Sequence, residues 1–155
     1  MRKAVAGFIL FLVAAACASR GSKAPVTLPE VTIVQTGGVA NAARGITGPI
    51  PVRYAIRVQN RASEPITLKR IEASSMGAGA YTLASTSRPF NAVIPPDGYK
   101  DVEMFASAVV EQETIVGANG PVTLRLILHF DTPKGSFQDV VVQQVNDKLT
   151  GEIPG

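Results

Sequence analysis

Tryptophan is absent from this chain, and cysteine and histidine each occur once in 155 residues. Six phenylalanines and three tyrosines make up the whole aromatic content, and charged residues reach only 17 %. Each shortage excludes something. One cysteine cannot form an internal disulfide. One histidine and one cysteine cannot build a tetrahedral nitrogen and sulfur metal site, which takes four ligands. The acids around Asp97, Asp131 and Asp139 lack the close alternation of calcium-binding loops. There is no G-x-S-x-G, so His129 has no nucleophile in a recognisable motif. The glycines from Gly37 to Gly48 lack the G-x-x-x-x-G-K spacing and following helix of a phosphate cradle. These exclusions predict no catalytic residue, no metal ligand, no cofactor and no enzymatic activity. The longest apolar run, Ala4 to Ala16, has thirteen residues. A membrane-spanning helix needs roughly 20.

That short run is the most informative part of the chain. It follows Arg2-Lys3 and ends at Cys17. A basic start, a short apolar stretch and small residues before a cut are the parts of a secretory signal, so residues 1–16 are expected to form a signal helix. The sequence Val13-Ala14-Ala15-Ala16-Cys17 resembles the lipobox of bacterial lipoprotein precursors, with Ala14 where Leu, Val or Ile is usual. The resemblance implies cleavage before Cys17 and lipidation of its thiol. Several acyl chains hold a protein on a membrane far more firmly than one, at about 0.8 kcal/mol per buried CH₂. Ala18 in second place, where Asp retains many such proteins at the inner membrane, implies the periplasmic face of the outer membrane. Two other readings stay open. Ala14-x-Ala16 also suits the general signal peptidase, which would leave a domain secreted to the periplasm, and the segment could be a retained anchor.

Without residues 1–16 the chain keeps 13 basic and 12 acidic side chains. Phosphate binding needs a concentrated positive field, so nucleic acid is not an expected partner. The membrane, reached through the lipidated N-terminus, and an envelope protein are. Oligomeric state is not readable from the composition. Residues 17–29 carry two prolines and small polar residues and are read as the lipidated cysteine and a tether. The tether spans at most about 40 Å when extended.

From residue 30 the pattern is one of strands. Glu30 to Thr36 supplies the first. Val52, Tyr54, Ile56 and Val58 alternate with Arg53, Ala55, Arg57 and Gln59, the period-two signature of a half-buried strand. Ile66 to Ala73 starts in phase, and a bulge near Lys69 is needed to keep Ile71 on the inner face. A short strand is expected around Tyr81–Leu83, then Phe90 to Ile94 and the turn Pro95-Pro96-Asp97-Gly98. Alternating runs follow around Val102–Ala108 and Val122–Phe130, and Thr132-Pro133-Lys134-Gly135 turns into Phe137–Val145. The expected fold is all-β, an antiparallel immunoglobulin-like sandwich of seven or eight strands over residues 30–147, with a flexible tail at 148–155.

The run Tyr54-Ala-Ile-Arg-Val-Gln-Asn60, then Pro65-Ile-Thr-Leu68, then Ile94-Pro-Pro-Asp-Gly98 resembles the LEA type 2 (water-stress) domain over about residues 50–108. Arg61 stands where that family commonly has proline. The resemblance implies the same sandwich and, for function, stress protection or binding of an apolar ligand between the sheets. The residues themselves point elsewhere, to a non-enzymatic binding or assembly module using loop ends or an edge strand. Arg53, Arg57 and Arg61, spaced by four, are the candidate contact for an anion or a partner, with Lys69 or Arg125 expected to join from neighbouring strands. The other reading is the solvated face of a sheet, with Glu103 or Asp101 opposite the arginines.

Overall fold

The structure is a computed structural model, and it describes residues 27–38, 48–77, 79–109 and 121–145. The expected signal (1–16), Cys17, most of the tether, the loop cores at 39–47 and 110–120, and residues 146–155 with the expected tail (148–155) lie outside the described residues. Among the described residues there are eight strands: β1 (Glu30–Gly37), β2 (Ile50–Gln59), β3 (Ile66–Met76), β4 (Thr82–Leu83), β5 (Thr86–Ile94), β6 (Tyr99–Val109), β7 (Val122–Thr132) and β8 (Gly135–Val145).

They form two antiparallel four-stranded sheets, one in the order β1-β2-β6-β4 and the other β5-β3-β7-β8. Every connection from β2–β3 to β6–β7 passes from one sheet to the other, and only β1–β2 and β7–β8 stay within a sheet, the wiring of an immunoglobulin-like sandwich. Alternation explains why the sheets face each other. Val52, Tyr54, Ile56 and Val58 of β2 and Leu124, Leu126, Leu128 and Phe130 of β7 are all buried, whereas their neighbours in sequence point outward. Ile56, Leu68, Ile71, Ile94 and Leu128 have no measurable exposure, and each such side chain contributes roughly 1.5–3 kcal/mol. No disulfide or tryptophan is needed to close this core.

The expected bulge is present. The register of β3 against both β5 and β7 shifts between Leu68 and Arg70, so Leu68 and Ile71 both face inward. Four strands start earlier than their patterns suggest, β2 at Ile50 and β8 at Gly135 by two residues each. β5 begins at Thr86 rather than Phe90, with Pro89 inside an edge strand, and β6 begins at Tyr99.

The turn between β5 and β6 also differs in detail. Asp97, not Gly98, takes the left-handed conformation (φ 55°). Gly98 is required for space: a Cβ there would stand 2.6 Å from Cγ of Pro95. The turn is tied to the end of β2 by Asn60, whose backbone N–H donates to the Gly98 carbonyl at 2.8 Å. The Asn60 side chain is buried. Its amide nitrogen donates to the carbonyls of Glu64 (2.8 Å), Pro95 (3.1 Å) and Ile94 (3.3 Å), and its oxygen accepts from the Ala62 N–H (2.9 Å). The residues quoted for the water-stress resemblance therefore meet at one pole of the sandwich, where they fix two turns against each other.

Candidate functional site

Three polar constellations stand out, and the strand register explains each. The first is the outer face of β2 and β6. Pairing of these strands sets Arg57 opposite Asp101, Arg53 opposite Phe105 and Gln59 opposite Tyr99. Arg57 grips Asp101 with two hydrogen bonds, Nε to Oδ1 at 2.8 Å and Nη2 to Oδ2 at 3.1 Å. The same guanidinium lies over the Tyr99 ring, 4.5 Å from its centre. Arg53 lies over Phe105 at 5.2 Å. The hydrogen bond from Arg57 pulls the Asp101 carboxyl below its ordinary pKa, and the bond to Asp101 raises that of the guanidinium.

Arg61 falls beyond the end of β2, in the turn, where Nη2 and Nε donate to Glu30 of β1. The three arginines thus lie along one flank, but two of them are neutralised by carboxylates. Glu103, opposite Ala55, places a further negative charge between Arg53 and Arg57. What this face does offer is aromatic. Tyr99 is 58 % exposed and Phe105 48 %, each with a guanidinium on its ring. Lys69 and Arg125 do not join them, because they belong to β3 and β7 of the other sheet. Lys69 instead donates to Asn91 at 3.1 Å.

His129 heads the second constellation, on the outer face of β7. Its Nε2 lies 2.9 Å from Glu72 Oε1 and its Nδ1 3.1 Å from the Gln138 amide nitrogen. Arg70 Nη2 is 3.3 Å from both ring nitrogens, and its Nε reaches Glu72 at 3.2 Å. The arrangement suits an imidazole that donates from Nε2 to Glu72 and accepts at Nδ1 from Gln138. General base catalysis needs a nucleophile within reach of the ring, and none of these three partners is one. Among the described residues, no group of three or more His, Cys, Asp or Glu side chains is placed to hold a metal ion.

The third is interior and was not foreseen. Tyr54 and Tyr81 are both buried with their hydroxyls 2.7 Å apart, and Tyr81 donates to Gln35 Oε1 at 2.6 Å. Since the single hydroxyl proton of Tyr81 goes to Gln35, Tyr54 is the donor within the pair. The network joins β1 and β2 to the segment entering β4 and satisfies polar groups that would otherwise be stranded in the core. The only hint in the sequence was Gln35 standing at an inward position of β1.

With this geometry in view, comparison with known proteins identifies the class of fold. No protein-family model and no curated protein matches the chain. Among solved structures, the chain is similar to a candidate ApaA protein from Bordetella pertussis (14 % identity, TM-score 0.53, covering 81 % of this chain and 100 % of that one). It is also similar to a protein from Arabidopsis thaliana (14 % identity, TM-score 0.51, covering 81 % and 82 %). A structure described as a candidate late embryogenesis abundant (LEA) protein aligns with 18 % identity and a TM-score of 0.47, covering 76 % and 70 %. For the first two, with TM-scores above 0.5, the likeness extends to the fold, a β-sandwich, and fold alone does not carry function.

Proposed function

We infer that the chain is a non-enzymatic, lipid-anchored module of a bacterial cell envelope, which holds its sandwich near the membrane and binds an envelope protein. The anchor rests on Arg2-Lys3, the thirteen-residue apolar run and the lipobox-like approach to Cys17. The binding role rests on one observation: Tyr99 and Phe105 stand half exposed on the outer face of β2 and β6, each topped by an arginine. Aromatic residues and arginine are the types enriched at the energetic centres of protein interfaces. With Arg57 and Arg61 already paired to carboxylates, this face suits a protein surface better than a free anion. Binding of an apolar ligand between the sheets is the less favoured reading. Tyr54, Ile56, Leu68, Ile71, Leu126, Leu128 and Phe130 fill that space, each at 1 % exposure or less.

The intact mass of the protein recovered from membranes, compared with a Cys17→Ala variant, tests the anchor. A tri-acylated Cys17, and release of the variant into the soluble fraction, is the expected result. An unmodified chain beginning near Cys17 would refute it and leave a secreted domain. For the face, Phe105→Ala should weaken binding of an envelope partner, first identified by cross-linking, by about five- to thirty-fold, since a truncated interface anchor costs about 1–2 kcal/mol. Unchanged binding would exclude this face.

A further inference from the structure

A sandwich has open sheet edges, and exposed strand edges invite pairing with other chains unless something blunts them. Three strands here are blunted. β1 is irregular between Gln35 and Gly37, and the Gln143 side chain clasps its Ile33 peptide, donating to the carbonyl at 2.9 Å and accepting from the N–H at 3.3 Å. β4 has only two residues. β5 contains Pro89 and pairs with the bulged stretch of β3. The stretch of β6 beyond β4 is met by Arg88, whose Nε donates to the Phe105 carbonyl at 3.4 Å.

Among the described residues β8 has no bulge, proline or truncation, and beyond β7 its tie is the inward Gln143 clasp to Ile33 of β1, which leaves its outward face open. It ends the order of its sheet, runs for eleven residues and pairs with β7 without a register shift. It contains no proline, lysine or arginine, and its one charge is Asp139. Val140 and Val142 stand outward at 51 % and 56 % exposure.

The sequence of this edge is nearly a palindrome. From residue 137 to 145 it reads Phe-Gln-Asp-Val-Val-Val-Gln-Gln-Val, centred on Val141. We propose that β8 is a homodimerisation edge, which pairs antiparallel with β8 of a second copy about a two-fold axis at Val141. In that register Val141 meets its own copy, Val140 meets Val142, Gln138 meets Gln144 and Phe137 meets Val145. The pairing puts residues an even number apart opposite one another, so inward side chains stay inward and the two exposed valines of each copy cover those of the other. Asp139 falls opposite Gln143, which keeps the two carboxylates from facing each other directly, an arrangement that would be destabilising. A two-fold axis makes this one patch serve both partners and closes the assembly at two chains. The result is one eight-stranded sheet shared by two sandwiches. The inference stands apart from the anchor and from the face of Tyr99 and Phe105, which lies on the other sheet.

The test uses the full chain carrying Cys17→Ala, in detergent, so that no acyl chain drives association and an introduced thiol is the only one. Sedimentation equilibrium at tens of micromolar is expected to give the mass of two chains. Adding Val140→Lys and Val142→Lys should give one chain with an unchanged circular dichroism spectrum, since both positions are exposed. Mild oxidation reads the register. A mixture of Val140→Cys and Val142→Cys chains should cross-link, because directly opposed Cα atoms lie about 4.5–5.5 Å apart, within disulfide reach. Either variant alone should cross-link several-fold less, its thiols being diagonal neighbours with Cα atoms about 7–8 Å apart. A monomeric parent chain, a dimer that survives both lysines, or equal cross-linking of each single variant alone would overturn the proposal.

Discussion

Replacing Asn60 by alanine is the sharpest probe of the energetics of this fold, because one side chain there serves four backbone groups. The side chain is buried and holds the Glu64, Ile94 and Pro95 carbonyls and the Ala62 N–H at 2.8–3.3 Å. Alanine removes all four bonds. Each buried polar group left without a partner costs about 1–3 kcal/mol. The Glu64 and Pro95 bonds are only partly buried, so water can reach those ends, whereas the bond to Ile94 is buried. A loss of about 2–4 kcal/mol follows, a large share of the 5–15 kcal/mol typical of a domain. On a domain of this size that corresponds to a fall in Tm of about 10 °C. Urea unfolding of the full chain, followed by circular dichroism and by tyrosine fluorescence, measures it directly. Asn60→Asp supplies the internal control. It keeps the acceptor for Ala62 but aims a carboxylate at three carbonyl oxygens, so at neutral pH it should be worse than alanine. Its folded-state pKa would be raised, so the penalty is present above that value and is relieved as pH falls and the protonated carboxyl donates again. An Asn60→Ala chain within about 0.5 kcal/mol of the parent, the scatter of inert surface changes, would refute the reasoning.

Tyr81→Phe removes a donor to Gln35 and an acceptor for Tyr54 in one step, and should cost about 1–3 kcal/mol by the same urea assay; a neutral result would mean that the network is not structural. Asp101 is held below its ordinary pKa by Arg57, so its stabilising contribution is complete above the usual carboxylate range. That contribution is lost as pH falls below about 4. The urea midpoint of Asp101→Asn should therefore fall less steeply in acid than that of the parent, and parallel curves would show that the pair contributes nothing.

Strands and turns were legible because they depend on neighbours in the chain. Alternation from Val52 to Gln59 and from Val122 to Phe130 marked the inward residues correctly, and the phase slip between Leu68 and Ile71 located the bulge. Pro89 hid the start of β5, since proline argues against a strand until the strand is known to lie at an edge. The polar contacts were legible only in part: an acid opposite the arginine row, Glu103 or Asp101, was one reading of the sequence, but the particular pairs were not. Arg57 meets Asp101 across 44 residues, His129 meets Glu72 across 57 and Tyr81 meets Gln35 across 46. Each needs a particular strand pairing, and periodicity states which face a residue occupies without stating who lies opposite. For the same reason Lys69 and Arg125 were assigned to the arginine row, when only sheet order separates them from it.

The proposed anchor and the proposed dimer constrain each other. The tether enters at Glu30, at the pole where Gln59, Asn60 and Gly98 meet, and Gly135 at the start of β8 lies at that same pole beside Thr132. Two copies of β8 paired antiparallel about Val141 therefore point their tether poles in opposite directions. The six residue steps from Gly135 to Val141, doubled across the axis, set the poles about 40 Å apart. Two anchors in one bilayer can then be satisfied only if the strands lie along the membrane, with residues 18–29, about 40 Å at full extension, reaching down from each end. A single anchored sandwich has no such restriction and can stand on its tether pole. With the two-fold axis along the membrane normal, the acylated dimer on a supported bilayer should form a protein layer about 20–25 Å thick, close to two stacked sheets with their side chains. The Val140→Lys, Val142→Lys chain should give a layer approaching the strand length of about 35 Å. Neutron reflectometry separates the two, and equal thickness for both chains would mean that pairing through β8 does not govern how the domain meets the membrane.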